Sequence, residues 1–359
     1  MSEIVLDELS FRYPDAVENT LDSLDLQINS GEAHALLGGS GAGKSTLLNL
    51  LSGLLGVQSG RILFDGLDVG RVAPHERRVS QVFQFPVLYE ALTVEENLAF
   101  PLRNLKDSAS GRRGRVDEIA RRLKIDHLLG RASKNLSLFE KQLVAIGKSL
   151  VRPDVALVLL DEPLTAAEPA HKWELRQTLK SLQREMGATM IYVTHDQTEA
   201  LTFADRVSIL HDGKILQTGS PQSLVDLPAH EHVGYFVGTP GMNLLDGEIS
   251  AGFYQLAGSP LAQTDSVPGP CRVGFRPEHC ELSNVHPTGR QAVAVEILSK
   301  RTLGTLRQEQ IGLAHARLGT SEITSRQTLS NLNVGSGWLS VDPARVMGFR
   351  DGWRIGEST

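Results

Sequence analysis

The sequence predicts an α/β domain over residues 1–237, built on a parallel sheet with an antiparallel edge sheet, followed by an all-β module over residues 238–359. Three observations carry this. The mostly apolar run Ala33–Leu37 feeds Gly38-Gly39-Ser40-Gly41-Ala42-Gly43-Lys44-Ser45-Thr46, after which Leu47, Leu48, Leu51, Leu54 and Leu55 recur at helical spacing. That is the strand–loop–helix order in which a G-x-x-x-x-G-K-[ST] loop holds phosphates. Val155–Leu160 is apolar without alternation, as a parallel strand covered on both faces is. Beyond Gly238-Thr239-Pro240-Gly241 come short alternating runs, Val293, Val295 and Ile297 among them, broken by turns such as Pro268-Gly269-Pro270.

The elements follow in order. Ile4–Phe11 and Leu24–Ile28 alternate as strands of the antiparallel edge sheet, Arg61–Phe64 is a strand closed by the Asp65-Gly66 turn, and Ser80–Phe83 is a strand ending at Gln84. From Leu88 to Ser149 helical spacing predominates, in Val94–Leu102, Val116–Leu123 and Leu143–Leu150, with the Ser/Gly/Arg-rich stretch Asp107–Arg115 read as a solvated, mobile loop. A helix over Lys172–Met186, a buried strand Met190–Val193 and a short helix Thr198–Phe203 come next. Ser208–Leu210 and Lys214–Gln217 form a hairpin around Asp212-Gly213.

Composition narrows the function. The chain has 359 residues, 41% of them hydrophobic, enough for two domains with real cores. A net charge of −6 gives no electrostatic case for nucleic acid as a partner. Cys271 and Cys280, the only cysteines, make no metal pattern with the neighbouring His279 and read as reduced thiols. The longest uninterrupted apolar run, Val155–Leu160, is far short of the ~20 residues of a membrane helix. Met1–Asp7 carries early acids in place of a basic start and apolar core, so no signal peptide is expected. The expectation is a cytosolic protein, held at a membrane, if it works at one, by other chains.

The chemistry starts at the glycine-rich loop. Its glycines let successive backbone N–H groups turn inward into an anion-binding cup. Lys44 then neutralises the terminal phosphates of a nucleoside triphosphate such as ATP, and Ser45 offers its hydroxyl to Mg²⁺. The strand Val155–Leu160 ends in Asp161-Glu162, so Asp161 is placed to hold the Mg²⁺ shell and Glu162 to polarise a water for in-line attack. Elsewhere two acids at a strand end would be a solvated turn. His195 and Gln84 each follow a strand closely, where open α/β sheets gather ligand groups. His195 is assigned to the γ-phosphate and the attacking water, and Gln84 to Mg²⁺ and the same water. Tyr13, in Phe11-Arg12-Tyr13-Pro14, is assigned to stacking on the nucleobase.

This order of parts resembles the ATP-binding-cassette ATPases. Tyr13 matches the adenine-stacking aromatic, Gly38 to Thr46 the Walker A motif and Gln84 the Q-loop glutamine, while Asp161 and Glu162 match Walker B with its catalytic glutamate and His195 the switch histidine. The resemblance implies a P-loop NTPase cassette whose helical subdomain, about residues 88–149, receives two membrane permease subunits. Thr194-His195-Asp196-Gln197-x-Glu199-Ala200, Gly241-Met242-Asn243-Leu244-Leu245 and Gly274-Phe275-Arg276-Pro277-Glu278-His279 look like the ATPases of carbohydrate importers, whose C-terminal β module is OB-like. Leu150-Val-Arg-Pro-Asp154, Lys172-Trp173-Glu-Leu-Arg176 and the stretch from Val233 to Gly241 look most similar to one ATPase of bacterial glycerol importers. That implies a peripheral subunit on the cytoplasmic face of the inner membrane, served indirectly by a substrate-binding protein, for a sugar or polyol with glycerol favoured. Another sugar or a glycerol phosphate is the alternative cargo.

One stretch departs from the family. Where it places Leu-Ser-Gly-Gly-Gln, completing the site of the opposite subunit, this chain has Leu136-Ser137-Leu138-Phe139-Glu140, and the D-loop reads Ala166-Ala167-Glu168-Pro169 with Glu168 in place of Asp. Ser137 keeps a hydroxyl for a γ-phosphate in trans, but both glycines are gone and Glu140 adds negative charge. The expectation is a heterodimer with a second ATPase whose signature is intact. Its rival is a catalytically weak scaffold subunit of the same transporter.

Overall fold

The structure is a computed structural model that describes residues 2–103, 109–165, 167–306 and 309–356. By Cα proximity it divides into two compact units, Met1–Pro221 and Gln222–Thr359. In chain order the first unit contains β1 (Ile4–Phe11), β2 (Leu21–Ile28), β3 (Ala33–Leu37), α1 (Lys44–Ser52), β4 (Ser59–Phe64), β5 (Leu67–Asp68), β6 (Val79–Val82) and α2 (Val94–Ala99). It continues with α3 (Ala109–Arg122), α4 (Leu138–Leu150), β7 (Leu157–Asp161), α5 (Pro169–Met186), β8 (Met190–Thr194), α6 (Gln197–Phe203), β9 (Arg206–His211) and β10 (Lys214–Gly219).

Two sheets result, a four-stranded one ordered β2-β1-β4-β5 and a six-stranded one ordered β10-β9-β3-β8-β7-β6. The first is antiparallel. The second is parallel except for the β9–β10 hairpin. Alternate residues of its inner strands enter different cores. Leu157, Leu159, Ile191 and Val193 pack with α1 and the antiparallel sheet. Val158, Leu160, Met190 and Tyr192 pack with residues of α2 to α5. A strand covered on both faces has no polar side to show, which is why Val155–Leu160 reads without alternation.

Three expectations need correction. Asp107–Arg115 is not a loop throughout: Asp107 and Ser108 lie outside the described residues, and from Ala109 the chain is α3. Val116, Ile119, Ala120 and Leu123 bury one face of that helix against α2 and α4, so packing overrides the weak propensities of Ser110, Gly111 and Gly114. The strand expected to end at Gln84 stops at Val82. The division of the chain falls after Pro221 rather than at 237/238, because the short helices Pro221–Asp226 and Glu231–Phe236 bond into the C-terminal unit. There Arg276 donates from Nε to Val225 O at 2.8 Å and from Nη1 to Val237 O at 2.6 Å, and Glu231 N donates to Gly352 O at 2.7 Å.

The C-terminal unit is all-β from Asn243 onward apart from single 3₁₀ turns, in a six-stranded and a five-stranded antiparallel sheet. Leu245, Val273 and Phe275 of one sheet and Val293, Ile297 and Leu339 of the other share a core. Cys271 and Cys280 are buried free thiols, and burial pushes the latter up to about 12.

Candidate nucleotide site

Parallel register sets the site. Leu37 pairs with Thr194, Asp161 with Val193 and Val82 with Leu160. The C-terminal ends of β3, β8, β7 and β6 therefore stand in one row, followed in turn by the glycine loop, His195, Glu162 and Gln84. Four segments far apart in sequence are brought to one edge, where such sheets bind ligands.

Gly38 is buried, and a Cβ there would stand 2.4 Å from Leu210 O, so no larger residue can leave β3 this way. Gly43 closes the loop at φ 104°, a left-handed conformation open to glycine, and gives way to α1 at Lys44. Between them a Cβ on Gly39 or Gly41 would meet nothing within 4 Å, and Ser40 is exposed, so the loop forms an open cup over the start of α1. Lys44 folds back across it, Nζ donating to Gly38 O at 2.9 Å and Gly39 O at 2.7 Å. Burial lowers the Lys44 pKa, while Glu162 and Asp161 pull the other way. Ala42 and Thr46 are buried and Ser45 is exposed. Tyr13 sits beside this helix, its hydroxyl 3.3 Å from Thr46 Oγ1 and its ring edge-on to Phe11 at 5.0 Å, with 40% of the residue exposed.

Glu162 leaves β7 at φ +43°, a region a non-glycine residue occupies only at some cost. Its N–H donates to Val193 O at 2.9 Å, which ties that turn to β8. Its carboxylate accepts from Gln84 Nε2 at 3.2 Å and Thr165 Oγ1 at 3.3 Å on Oε2, and pairs with His195 Nδ1 at 2.8 Å on Oε1. The sequence-assigned residues Gln84 and His195 thus meet at the Glu162 carboxylate. Thr165 was not singled out by the sequence, since a threonine three residues after an acid is common in any turn.

Asp161 shows what the site lacks in charge. Burial and the neighbouring Glu162 push its carboxyl above the ordinary aspartate range, and Lys44 offsets this only in part. A hydroxyl, an amide oxygen and a carboxylate are the hard-oxygen donors Mg²⁺ takes, so the donor chemistry of Ser45, Gln84 and Asp161 is of the kind that suits that ion.

The signature stretch tells a different story. Ser137 is the N-cap of α4 in a complete capping box: Ser137 Oγ accepts from Glu140 N at 3.2 Å, and Ser137 N donates to Glu140 Oε2 at 2.7 Å. Arg131 Nη1 holds the other carboxylate oxygen at 3.1 Å. The bond from Ser137 N–H draws the Glu140 pKa below its usual value. Phe139 stacks on His171 with ring centroids 5.4 Å apart, and Leu138 is 51% exposed. In the altered D-loop, Ala166 lies outside the described residues, and Glu168 is the N-cap of α5.

Residues 21–165 match the ABC transporter family model. The chain is 36% identical to the sn-glycerol-3-phosphate import ATP-binding protein UgpC of Jannaschia sp. (strain CCS1), over 96% of this chain and 97% of that protein. It is 38% identical to the trehalose import ATP-binding protein SugC of Mycobacterium tuberculosis, over 78% and 73% of the two chains. Among solved structures, cbiO1 from Clostridium perfringens, part of the ABC transporter complex cbiONQ, superposes with a TM-score of 0.57 at 33% identity, covering 62% of this chain and 89% of that one.

Proposed function

The chain belongs to the ABC transporter family as the ATP-binding, ATP-hydrolysing subunit of a carbohydrate or polyol importer, and on that premise we propose that it supplies one competent half-site to a heterodimer. The observation that carries this is the contrast within one chain. Gln84, Thr165 and His195 converge on Glu162, while the start of α4 has its anion seat filled by its own Glu140. A partner ATPase with an intact signature completes the site built on Lys44 and Glu162. Two membrane permeases take up the resulting closure at the helical subdomain.

In that site Lys44 turns from the Gly38 and Gly39 carbonyls to the terminal phosphates, and Tyr13 stacks on the base. Glu162 takes a proton from the attacking water, and His195 and Gln84 orient that water. Mg²⁺, which Ser45, Asp161 and Gln84 would hold, would neutralise charge on the phosphates. Glycerol is the favoured cargo, supported by the stretches Leu150–Asp154, Lys172–Arg176 and Val233–Gly241. The glycerol phosphate and trehalose named for the relatives are the competitors. Uptake of labelled glycerol, sn-glycerol-3-phosphate and trehalose by cells lacking this chain decides among them. The subunit sits on the cytoplasmic face of the inner membrane.

The heterodimer is tested by purifying the chain alone. Its ATPase rate should stay at background at every protein concentration, and Leu138→Gly/Phe139→Gly/Glu140→Gln should raise it in a concentration-dependent way. A wild-type chain that hydrolyses ATP alone at the rate of the complete transporter overturns the asymmetric reading. The altered signature also favours a second reading, in which this subunit binds ATP and only the partner hydrolyses. Inactivating each subunit separately in the assembled transporter divides the two.

A further inference from the structure

We infer that Glu199 is a positioning residue for hydrolysis, fastening the His195 segment to α5. The inference rests on the reading of Glu162 and His195 above and extends it to a residue that touches neither nucleotide nor water. Glu199 is only 4% exposed. Its carboxylate accepts three hydrogen bonds, each at 3.0 Å, from Tyr192 Oη and Thr194 Oγ1 on Oε2 and from Lys172 Nζ on Oε1. A buried carboxylate is costly unless fully paired, and here the pairing joins three elements.

Two of the donors lie just before His195. Tyr192 and Thr194 belong to β8, and Thr194 Oγ1 also accepts from Asp196 N at 3.0 Å. Thr194 and Asp196 flank His195, whose Nδ1 lies 2.8 Å from Glu162 Oε1. The third donor, Lys172, stands in the first turn of α5, its N–H bonded to Glu168 O at 3.1 Å. Glu168 ends the segment that begins at Glu162 and carries Thr165, so that segment leaves the Glu162 carboxylate at one end and returns to the histidine side through Lys172 and Glu199. The Tyr192 phenol, raised well above its ordinary pKa by burial and by Glu199, stays a donor throughout the working range. The His195 side chain is 63% exposed, so its place beside Glu162 depends on its backbone, which is held by the β3–β8 pairing at Thr194, by the Asp196 cap of α6 and by the Glu199 cluster. Loss of the Glu199 carboxylate loosens that hold.

The test uses the assembled transporter purified through a tag on this chain, reading MgATP kcat, KM and the Kd of a fluorescent ATP analogue. Glu199→Gln turns an amide N–H₂ toward groups that donate, and it should lower kcat roughly tenfold, about 1.4 kcal/mol of barrier, with Kd within twofold. Lys172→Met, which removes the donor on Oε1 while Tyr192 and Thr194 still bond Oε2, should lower kcat in the same direction, and Lys172→Arg should retain it. In a His195→Ala background, Glu199→Gln should cause no further loss, because it acts through the histidine. Unchanged kcat in both Glu199→Gln and Lys172→Met, or a full further loss in the His195→Ala background, overturns the inference. The Glu162→Gln control separates the two levels: if it turns over rapidly the underlying reading of the site falls, and if it is dead while the Glu199 variants are normal only the anchor does.

Discussion

Replacing Glu162 by Gln is the cleanest probe of the site, because the structure shows how little else it changes. In the wild type Oε2 accepts from Gln84 and Thr165, and Oε1 pairs with His195. A glutamine fits the same position with its oxygen toward Gln84 and Thr165 and its N–H₂ toward His195. The imidazole then accepts at Nδ1 by taking its other tautomer. Every contact survives, the turn at φ +43° is unchanged, and only basicity is lost. Stability should therefore move by no more than about 0.5 kcal/mol, and nucleotide affinity should stay within twofold. The rate should fall by about 10² to 10⁴, the usual worth of a positioned general base, or roughly 3 to 5 kcal/mol of barrier. Single-turnover hydrolysis in the assembled transporter, beside equilibrium binding of a fluorescent ATP analogue, reads both quantities. Turnover within tenfold of wild type would mean that the water is activated elsewhere.

Tyr13→Ala should weaken ATP binding by about tenfold, taking the low end of the 1–3 kcal/mol measured for base stacking on an aromatic, and should leave kcat at saturating ATP unchanged; titration with ATP and with inorganic triphosphate distinguishes base stacking from a general loss, since triphosphate binding should not respond. Asp161 gives a pH dependence: an acid raised in the folded chain holds its proton more tightly there, so its contribution to stability is lost as pH rises through that raised value, and a metal ion must displace the same proton. Affinity for MgATP should accordingly fall on acidification, starting above the range of an ordinary aspartate, and calorimetry in buffers of different ionisation heat should detect proton release on binding that Asp161→Asn abolishes.

The sequence was most legible where one residue type is the only solution. Gly38 is fixed by the 2.4 Å approach of Leu210 O, and Lys44 follows it at the spacing a G-x-x-x-x-G-K-[ST] loop requires, so the loop could be read without coordinates. The apolar strands Val155–Leu160 and Met190–Val193 were equally plain, since burial on two faces leaves no polar position. What escaped lies in contacts that only the folded chain sets. Thr165 is an ordinary turn residue until its hydroxyl reaches the Glu162 carboxylate, and Glu199 is one acid of a short helix until α5 and β8 bring Lys172, Tyr192 and Thr194 to its carboxylate. The helix α3 was missed for a related reason: Ser110, Gly111 and Gly114 argue locally for a loop, and only packing of Val116 and Ile119 against neighbouring helices decides otherwise. The boundary at 237/238 was placed by a change in strand pattern, whereas the Arg276 bonds to Val225 and Val237 draw the preceding helices into the C-terminal unit.

The asymmetry has a physical root in the start of α4. The first N–H groups of a helix can be satisfied by a side chain or by a bound anion, and the same N–H cannot serve both. A neutral residue three positions after the cap adds no negative charge where a phosphate would approach the positive end of the dipole. Glu140 instead brings a full negative charge to Ser137 N–H, and Arg131 holds it there. Opening this cap forfeits about 1 kcal/mol of capping, and the displaced carboxylate then repels the incoming phosphate over the same short distance. Phe139, moored on His171, gives the backbone no glycine with which to approach more closely. None of these residues lies on the row of strand ends that carries Lys44, Asp161, Glu162 and His195. The receiving half of the site can therefore stay competent while the donating half is closed, and a second ATPase with a free helix start restores what this chain does not provide.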